Sequence, residues 1–356
     1  MQLSKLREKI AAAGLDAMFI TQPQNTRYLS GFTGGEGVVL VVTPQETIAV
    51  SGFIYREQIQ REAPGWELVE VKDKLVSALP ELTARLGVKR IGFESTHLTV
   101  DQHREWAEAL PGCDLVPVKD VIEDLRAVKD KEEIDVIAKA VVLADSAFAH
   151  IVKFIRPGMR EKEVGWELEM YMRTHGAEKV SFDIIVGSGP NGAMPHATVS
   201  ERVIRAGEPI VMDLGAVVDG YYSDLTRTIV IGEPDDTFRA VYDTVLRAQV
   251  HAEAKIMPGM TGQEADAIAR EIIVEAGHGE AFGHSLGHGV GLAVHEKPWV
   301  SRIEGENVLE SGMVFTVEPG IYLPGWGGVR IEDVVVLRED GCQVLTRASR
   351  EPVVPL

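Results

Sequence analysis

The chain has 356 residues, of which 45% are hydrophobic and 25% are charged, an ordinary composition for a folded protein of one or two domains. No apolar run reaches the roughly 18–20 residues that span a bilayer, and a net charge of −18 disfavours nucleic acid and anionic membranes as partners. Two cysteines without redox or metal spacing predict a cytoplasmic protein, and the N-terminus is not typical of a signal peptide.

Helix and strand patterns alternate along residues 1–122 and predict a small α/β domain. LSKLREKIAAAG reads as an amphipathic helix that ends at Gly14. Four short β-rich runs follow it: AMFIT, GVVLVVT, ETIAVS and KRIGFES. Between the first two runs lies NTRYLSGFTGGEG, residues 25–37, whose turn-forming residues predict a surface loop. We place the boundary with a second domain, residues 123–356, just after Ile122.

The second domain opens with a long helix from Lys129 and then repeats its own pattern at an offset of 101 residues. The Pro-Gly-Met turn at residues 157–159 recurs at residues 258–260. Each turn is followed by an amphipathic helix and a closing glycine, Gly176 and Gly277. The strands that follow repeat as well, which predicts two similar halves related by a pseudo-twofold axis.

Each half offers two carboxylates on paired strands: Asp213 and Asp224 in the first half, Glu318 and Glu332 in the second. One such acid could simply cap a turn. Four acids brought face to face by the pseudo-twofold axis would repel one another by roughly several kcal/mol without a compensating charge. Arg330 or Arg227 could supply part of that charge, and a pair of divalent metal ions would supply it more completely.

The segment GHSLGHGVGLAVHE, residues 283–296, holds three histidines among four glycines, and its glycine content disfavours a helix. One neutral imidazole from it would complete an oxygen-rich ligand set suited to Mn²⁺, Co²⁺, Fe²⁺ or Zn²⁺. The glycines would let the backbone pass close beside metals and substrate. Two metals roughly 3.5–4 Å apart can share a bridging hydroxide and stabilise an oxyanion, which predicts hydrolysis of an amide or a phosphate ester.

The chain resembles the pita-bread metallopeptidases, a family that includes Xaa-Pro dipeptidase (prolidase), Xaa-Pro aminopeptidase, methionine aminopeptidase and creatinase. The resemblance covers the whole chain and is carried by MDLGAVVDGYYSD, SLGHGVGLAVHE, VEPGIY and GGVRIED, in family order and spacing. NTRYLSGFTG and FES are similar to the creatinase-type N-terminal domain. The resemblance implies an α/β (α+β) protein in which a small creatinase-type α/β domain precedes a pita-bread catalytic domain with a pseudo-twofold repeat.

The resemblance also implies a role for each site residue. The metal ligands would be Asp213, Asp224, His288, Glu318 and Glu332, and the catalytic residues Glu318, His196, His295 and Arg330. Glu318 would carry a proton from the metal-bridging hydroxide to the leaving amine. His196 and His295 would contact the scissile carbonyl or the tetrahedral intermediate, and Arg330 would balance the charge of the acids. His284, Phe182 and Tyr322 would also contact the substrate. The alternative for Phe182 is a place in the hydrophobic core, and the alternative for His196, His284 and His295 is a structural role.

One position departs from the family pattern. Prolidases often read HE-x-P-R, and the arginine binds the free carboxylate of a dipeptide, whereas this chain reads HEKPWVSR with Trp299 in the place of the arginine. Arg302 or Lys297, or an arginine of a partner subunit, could substitute for it. Otherwise the enzyme would prefer longer Xaa-Pro-Yaa peptides.

The function predicted from the sequence is two-metal hydrolysis of Xaa-Pro peptides by a homodimeric Xaa-Pro dipeptidase, with Xaa-Pro aminopeptidase as the runner-up. The expected metals are Mn²⁺ or Co²⁺, with Zn²⁺ as an alternative, and the partners are short Xaa-Pro peptides rather than nucleic acid or membranes. A non-catalytic binding module and a two-metal phosphoesterase are the distant alternatives. All five ligand positions hold suitable residues, which disfavours the binding module.

Overall fold

A computed structural model describes residues 2–356, and the chain divides into two compact units between Arg126 and Ala127. The sequence pattern placed the boundary at residue 122. Among the described residues, no helix combines the length and the apolar character needed to cross a membrane.

The first unit is built on one mixed sheet flanked by helices. Its elements, in chain order, are α1 (Gln2–Ala12), β1 (Ala17–Ile20), α2 (Pro23–Ser30), β2 (Val38–Val42), β3 (Thr47–Gly52), α3 (Arg56–Glu62), β4 (Glu67–Val71), α4 (Leu79–Leu86), β5 (Arg90–Glu94), α5 (Val100–Ala109), β6 (Asp114–Val118) and α6 (Glu123–Ala127). The strand order is β4-β3-β2-β1-β5-β6. β1 and β2 are buried at every position, because apolar runs of this kind occupy the centre of a sheet that is covered on both faces.

Residues 25–37 are not a loop throughout, as the sequence had predicted. α2 occupies residues 23–30, with Pro23 in its first turn and Gly31 closing it at a φ of 80°. Asn25 in α2 is buried and donates to Glu94 Oε1 at 2.7 Å. The turn-forming residues of α2 are therefore held in a helix by Pro23 and Gly31 at its ends, which are local signals, and by a buried polar contact, which the local sequence does not show.

The helices of the second unit reproduce the predicted repeat. They are α7 (Lys131–Phe154), α8 (Glu161–Thr174), α9 (Asp236–Lys255) and α10 (Gly262–Glu275). α8 and α10 each have 14 residues and begin 101 positions apart. The turns before them need a left-handed residue, which Gly158 (φ 96°) and Gly259 (φ 92°) supply.

The strands of the second unit form two larger and two smaller sheets. They are β7 (Lys179–Val180), β8 (Ile185–Ser188), β9 (Ile210–Leu214), β10 (Ala216–Val218), β11 (Tyr221–Tyr222), β12 (Leu225–Ile231), β13 (Gly287–Gly289), β14 (Glu296–Val300), β15 (Val314–Val317), β16 (Gly320–Leu323), β17 (Gly327–Arg330), β18 (Asp333–Arg338), β19 (Gly341–Val344) and β20 (Val353–Val354). The larger sheets have the orders β20-β12-β9-β8 and β14-β13-β15-β18-β19.

Each half of the repeat has its own hydrophobic core between its helices and its antiparallel hairpin. In the first half, Leu168 and Met212 belong to one buried cluster; in the second half, Ile273 and Phe315 belong to another. The β9–β12 and β15–β18 pairs are the hairpins that were predicted to carry the acids. The mixed α/β architecture predicted from the sequence is confirmed.

Candidate active site

A cavity of about 720 Å³ lies in the second unit, and residues from both halves of the repeat line it. It is lined by ten of the eleven site residues named from the sequence: Phe182, His196, Asp213, Asp224, His284, His288, His295, Glu318, Arg330 and Glu332. The exception is Tyr322.

The four acids lie at strand ends or next to them, which turns their side chains toward one point. Asp213 lies in β9, opposite Thr226 of β12. Asp224 immediately precedes β12, Glu318 follows β15, and Glu332 precedes β18. Because the two hairpins have the same plan, each contributes one acid from its outgoing strand and one from its returning strand.

His288 brings a nitrogen donor to these acids. Its side chain comes from β13, and its Nε2 lies 3.3 Å from Glu318 Oε1 and 3.7 Å from Asp224 Oδ2. One donor atom each from Asp224, His288 and Glu332 lie within 4.8 Å of one another. Asp213 lines the same cavity, and its Oδ2 accepts a hydrogen bond of 2.6 Å from Arg330.

Burial raises the pKa of Asp213, and it raises the pKa of Asp224 and Glu332 well above the usual carboxyl range. Repulsion from the neighbouring acids adds to each rise. Burial also acts to raise the pKa of Glu318, but its hydrogen bond with His288 and nearby positive charge hold that pKa at about 2. The positively charged side chains of the site therefore stabilise only part of the negative charge of its four carboxylates.

The donor set fits a pair of divalent cations. Asp213 Oδ1 is a buried oxygen without a hydrogen-bond partner among the described residues, although the other oxygen of the same carboxylate is well bonded. A buried acceptor of this kind is costly unless something positive faces it. Four carboxylates and one imidazole are ligands that Mn²⁺, Co²⁺ and Zn²⁺ accept.

Arg330 is the buried cation that faces the acids. Its guanidinium donates to Asp213, to Thr226 Oγ1 at 3.0 Å and to Tyr322 Oη at 2.8 Å. Tyr322 Oη in turn lies 2.9 Å from His284 Nε2. Tyr322 is not among the residues that line the cavity, but its hydroxyl bonds Arg330 and His284, which do line it.

Arg227, the alternative source of positive charge, faces away from the acids. It is one position from Thr226 on β12, so its side chain leaves the opposite face of the sheet. There it donates to Asp333 Oδ1 at 2.7 Å and to the backbone oxygen of Glu332 at 2.6 Å. Arg227 therefore stabilises the backbone that carries Glu332 and contributes no contact to its carboxylate.

The remaining predicted residues surround the acids. His295 faces the cavity, with its ring centroid 4.1 Å from that of His288. Burial by the surrounding protein, together with the charge of His288, lowers the pKa of His295 to about 4, so its imidazole is neutral at pH 7. His196 is exposed to the cavity, and the half-buried ring of Phe182 forms an apolar part of the wall.

Gly287 lines the cavity, as expected of a glycine beside the site, and both Gly287 and Gly289 are also needed for close strand packing. A Cβ added at Gly287 would lie 1.9 Å from the backbone oxygen of Thr316, and one at Gly289 would lie 2.1 Å from that of Lys297. These glycines let β13 lie tightly against its neighbouring strands. None of the nearest neighbours at these two positions is an acid of the site.

Trp299 lines the cavity at the position where prolidases often have arginine. Arg302 is exposed, and neither it nor Lys297 is among the residues that line the cavity. Within this chain, neither Arg302 nor Lys297 is therefore placed to take over the role of the missing arginine in this cavity.

Two threonines that the sequence reasoning missed hold acids in place. Thr226 donates to Glu332 Oε2 at 2.6 Å, and Thr316 donates to Glu318 Oε1 at 3.1 Å. Thr316 Oγ1 also accepts the N–H of His288 at 3.1 Å. The contact of Thr316 could have been predicted from the sequence, because Thr316 lies two residues before Glu318 and positions i and i+2 of an extended chain share a face.

Comparison with known proteins identifies the family. Residues 135–339 match the profile of Metallopeptidase family M24, and residues 2–128 match that of the Creatinase/Prolidase N-terminal domain. The chain belongs to metallopeptidase family M24. The predicted family is thereby confirmed, and members of this family depend on a dinuclear metal site.

Relatives of this M24 protein are similar over nearly their whole length. It is 42% identical to the Xaa-Pro dipeptidase of Pyrococcus furiosus, with 98% of this chain and 99% of the relative covered. The solved Xaa-Pro dipeptidase of Bacillus anthracis has a TM-score of 0.96 at 41% identity and covers 100% of this chain and 99% of its own. The X-Pro aminopeptidase of Thermotoga maritima has a TM-score of 0.89 at 39% identity, covering 96% and 98%.

Proposed function

We propose that this metallopeptidase is an Xaa-Pro dipeptidase that cleaves the bond between an N-terminal residue and proline. The observation that carries the proposal is the convergence of Asp213, Asp224, His288, Glu318 and Glu332 in one cavity. Their convergence supports the assignment of all five as metal ligands. The names of relatives at about 40% identity supply the substrate class.

Two divalent cations in this cavity would lower the pKa of a water molecule and stabilise negative charge on the scissile carbonyl. The chain's own residues would do the rest. Glu318 would take a proton from the attacking water and deliver it to the leaving nitrogen. A prolyl nitrogen leaves as an amine only once it is protonated, so this transfer is essential.

The histidines would position the carbonyl. A neutral His295 offers one N–H, which can donate to the oxygen on which negative charge develops. His196 would contact the substrate from the opposite half of the repeat, and Phe182 would pack against the proline ring. His284 would orient the substrate with support from Tyr322.

Two further features follow from the resemblance and belong to this proposal. The metals would be Mn²⁺ or Co²⁺, with Zn²⁺ as an alternative, since the donor set is rich in carboxylate oxygen. The active form would be a cytoplasmic homodimer that acts on short peptides.

Trp299 favours a second candidate, an Xaa-Pro aminopeptidase. Without an arginine at that position, the free carboxylate of a dipeptide lacks its usual partner, and a longer Xaa-Pro-Yaa peptide places no charge there. The likeness to the X-Pro aminopeptidase of Thermotoga maritima is consistent with this alternative.

Hydrolysis of Ala-Pro and of Ala-Pro-Ala by the Mn²⁺-loaded enzyme separates the two candidates. We expect a higher kcat/KM for Ala-Pro, and a strong preference for the tripeptide would overturn the dipeptidase assignment. Trp299→Arg should shift the preference further toward the dipeptide by about tenfold, since a charge-assisted hydrogen bond contributes about 1.5 kcal/mol or more. Trp299→Phe, which adds no charge, is the matched control.

A further inference from the structure

The ring of His295 has no hydrogen-bond partner among residues 2–356, in contrast to the other two histidines of its segment. His284 is bonded to the oxygens of Ser285 and Tyr322, and His288 contacts Glu318. No hydrogen bond therefore fixes the orientation of the His295 ring. Apart from the edge-on contact with the His288 ring, the position of the His295 ring depends on the backbone that carries it.

Besides the pairing of Glu296 with Gly289 in the sheet, the side chain of Glu296 ties that backbone to the interior. Its side chain turns away from the cavity, and its Oε1 lies 2.9 Å from Lys129 Nζ, with side-chain exposures of 6% and 1%. Its Oε2 accepts the backbone N–H of Ala293 at 3.2 Å. One carboxylate thus closes residues 293–296 on themselves and joins them to Lys129.

Lys129 is a fixed point for this attachment. Its backbone N–H donates to Gly312 O at 3.0 Å. The next residue, Asp130, caps α7 by accepting the N–H of Glu133 at 2.9 Å. The ammonium is therefore held from the start of a 24-residue helix, which is a rigid support.

Gly291 leaves room for the ion pair beneath the chain. A Cβ at this position would lie 2.2 Å from Glu296 Oε1 and 3.1 Å from Lys129 Cε. The backbone of residue 291 therefore passes directly over the two charges, and its oxygen accepts the N–H of Tyr222 at 2.8 Å. Gly291 therefore packs directly against the Lys129–Glu296 pair, and Ala293 is hydrogen-bonded to it.

A buried ion pair of this kind is a poor source of net stability, because desolvation of both charges offsets most of their attraction. It is, however, a strict constraint on geometry, since separating the partners leaves a buried charge without compensation. We propose that the Lys129–Glu296 pair positions His295 for its contact with the scissile carbonyl. The expected loss of turnover rests on the proposed peptidase function. The expected anchoring of residues 290–296 rests on the structure alone.

The test compares single variants of the pair with a matched control. Lys129→Met and Glu296→Gln should each lower kcat by about 30- to 100-fold through misplacement of His295, with bound metal and KM near the parent values. Glu208→Gln breaks the Arg202–Glu208 pair, whose side chains are 22% and 15% exposed and which lies outside the cavity lining. It should leave kcat unchanged.

The double variant Lys129→Met/Glu296→Met separates positioning from stability. It removes both charges, so the melting temperature should recover relative to the single variants. We expect kcat to stay low, because the Ala293 N–H has lost its acceptor and the segment has lost its tether. Recovery of kcat together with the melting temperature would overturn the positioning role.

Hydrogen–deuterium exchange gives a readout that does not depend on turnover. Exchange of residues 290–296 should become faster in Lys129→Met and in the double variant, and should stay unchanged in Glu208→Gln. Unchanged exchange in the pair variants would overturn the inference even if the enzyme is active. A parent protein that hydrolyses no Xaa-Pro peptide would instead overturn the proposed function, while the exchange result would still decide whether the pair anchors the segment.

Discussion

The two halves of the repeat have the same strands at the site but different side chains. In the first half β8 runs beside β9, and Ile185 pairs with Asp213. In the second half β13 runs beside β15, and the N–H of Glu318 donates to Leu286 O at 2.8 Å. Leu286 is therefore the counterpart of Ile185, at the same 101-residue offset that relates the helices.

Two residues further along, the counterpart of His288 is Gly187. A Cβ at Gly187 would lie 3.1 Å from Gly192 Cα and 3.2 Å from Asn191 O, so the first half has little space for a side chain there. The second half has the space and places an imidazole in it. The comparison shows how a symmetric set of acids becomes an asymmetric site: both halves contribute two carboxylates, and only one contributes the nitrogen donor on this strand.

The largest expected effect comes from removing that donor. His288→Ala should weaken metal binding by more than about 100-fold, beyond the 10- to 100-fold that loss of an outer hydrogen-bond partner costs. Turnover should be lost with the metal. Metal content by elemental analysis and turnover at several Mn²⁺ concentrations measure both, and full metal occupancy in the variant would contradict the ligand assignment.

A second variant, His295→Ala, should keep its metal and lose rate. Loss of one donor to a developing oxyanion costs about 10²- to 10³-fold in kcat. Metal titration beside steady-state kinetics separates this result from that of His288→Ala. Equal metal loss in the two variants would mean that the roles of the two histidines are misassigned.

The threonines provide a matched pair, one in each half. Thr226→Val and Thr316→Val keep side-chain volume and remove the hydroxyl that bonds Glu332 or Glu318. We expect metal affinity to fall by about tenfold in each, since partners of metal ligands contribute 10- to 100-fold. Isothermal titration with Mn²⁺ measures it. If only one variant changed, the two halves would not hold their acids in equivalent ways.

The smallest expected signal is the pH dependence of stability in the metal-free protein. Burial raises the pKa of Asp213, Asp224 and Glu332, so the folded state binds more protons than the unfolded state above the ordinary carboxyl pKa. Stability should therefore fall as pH rises from about 4 toward neutrality. Thermal unfolding in chelator should show this fall and Mn²⁺ should reduce it; the same curve with and without Mn²⁺ would argue against convergence of the acids.

Much of the fold could be predicted because the repeat has strong local signals. The Pro-Gly-Met turns, the helices after them and the acids at the strand ends are all local patterns, and the structure has α8 and α10 at the predicted offset. Residues 25–30 were assigned to a loop because their turn-forming residues outweighed the helix signals of Pro23 and Gly31, and because the contact of Asn25 with Glu94 joins positions 69 residues apart. No local pattern contains such a contact.

The candidate site was predictable in its residue types and less so in their orientation. The acids and histidines stand out by chemistry, but only the structure separates Arg330, which faces the acids, from Arg227, which leaves the opposite face of β12. The hydrogen bonds that join Tyr322 to Arg330 and His284 could not be predicted either, since the sequence does not say which side chains meet across a hairpin. The Lys129–Glu296 pair was missed because its partners are far apart in the chain.

The most direct measurement is the number and location of divalent cations bound by the intact protein. We expect two Mn²⁺ per chain, and anomalous diffraction should locate both among Asp213, Asp224, His288, Glu318 and Glu332. Cations bound elsewhere, or none bound at saturating Mn²⁺, would contradict the claim that the two halves jointly hold a metal pair.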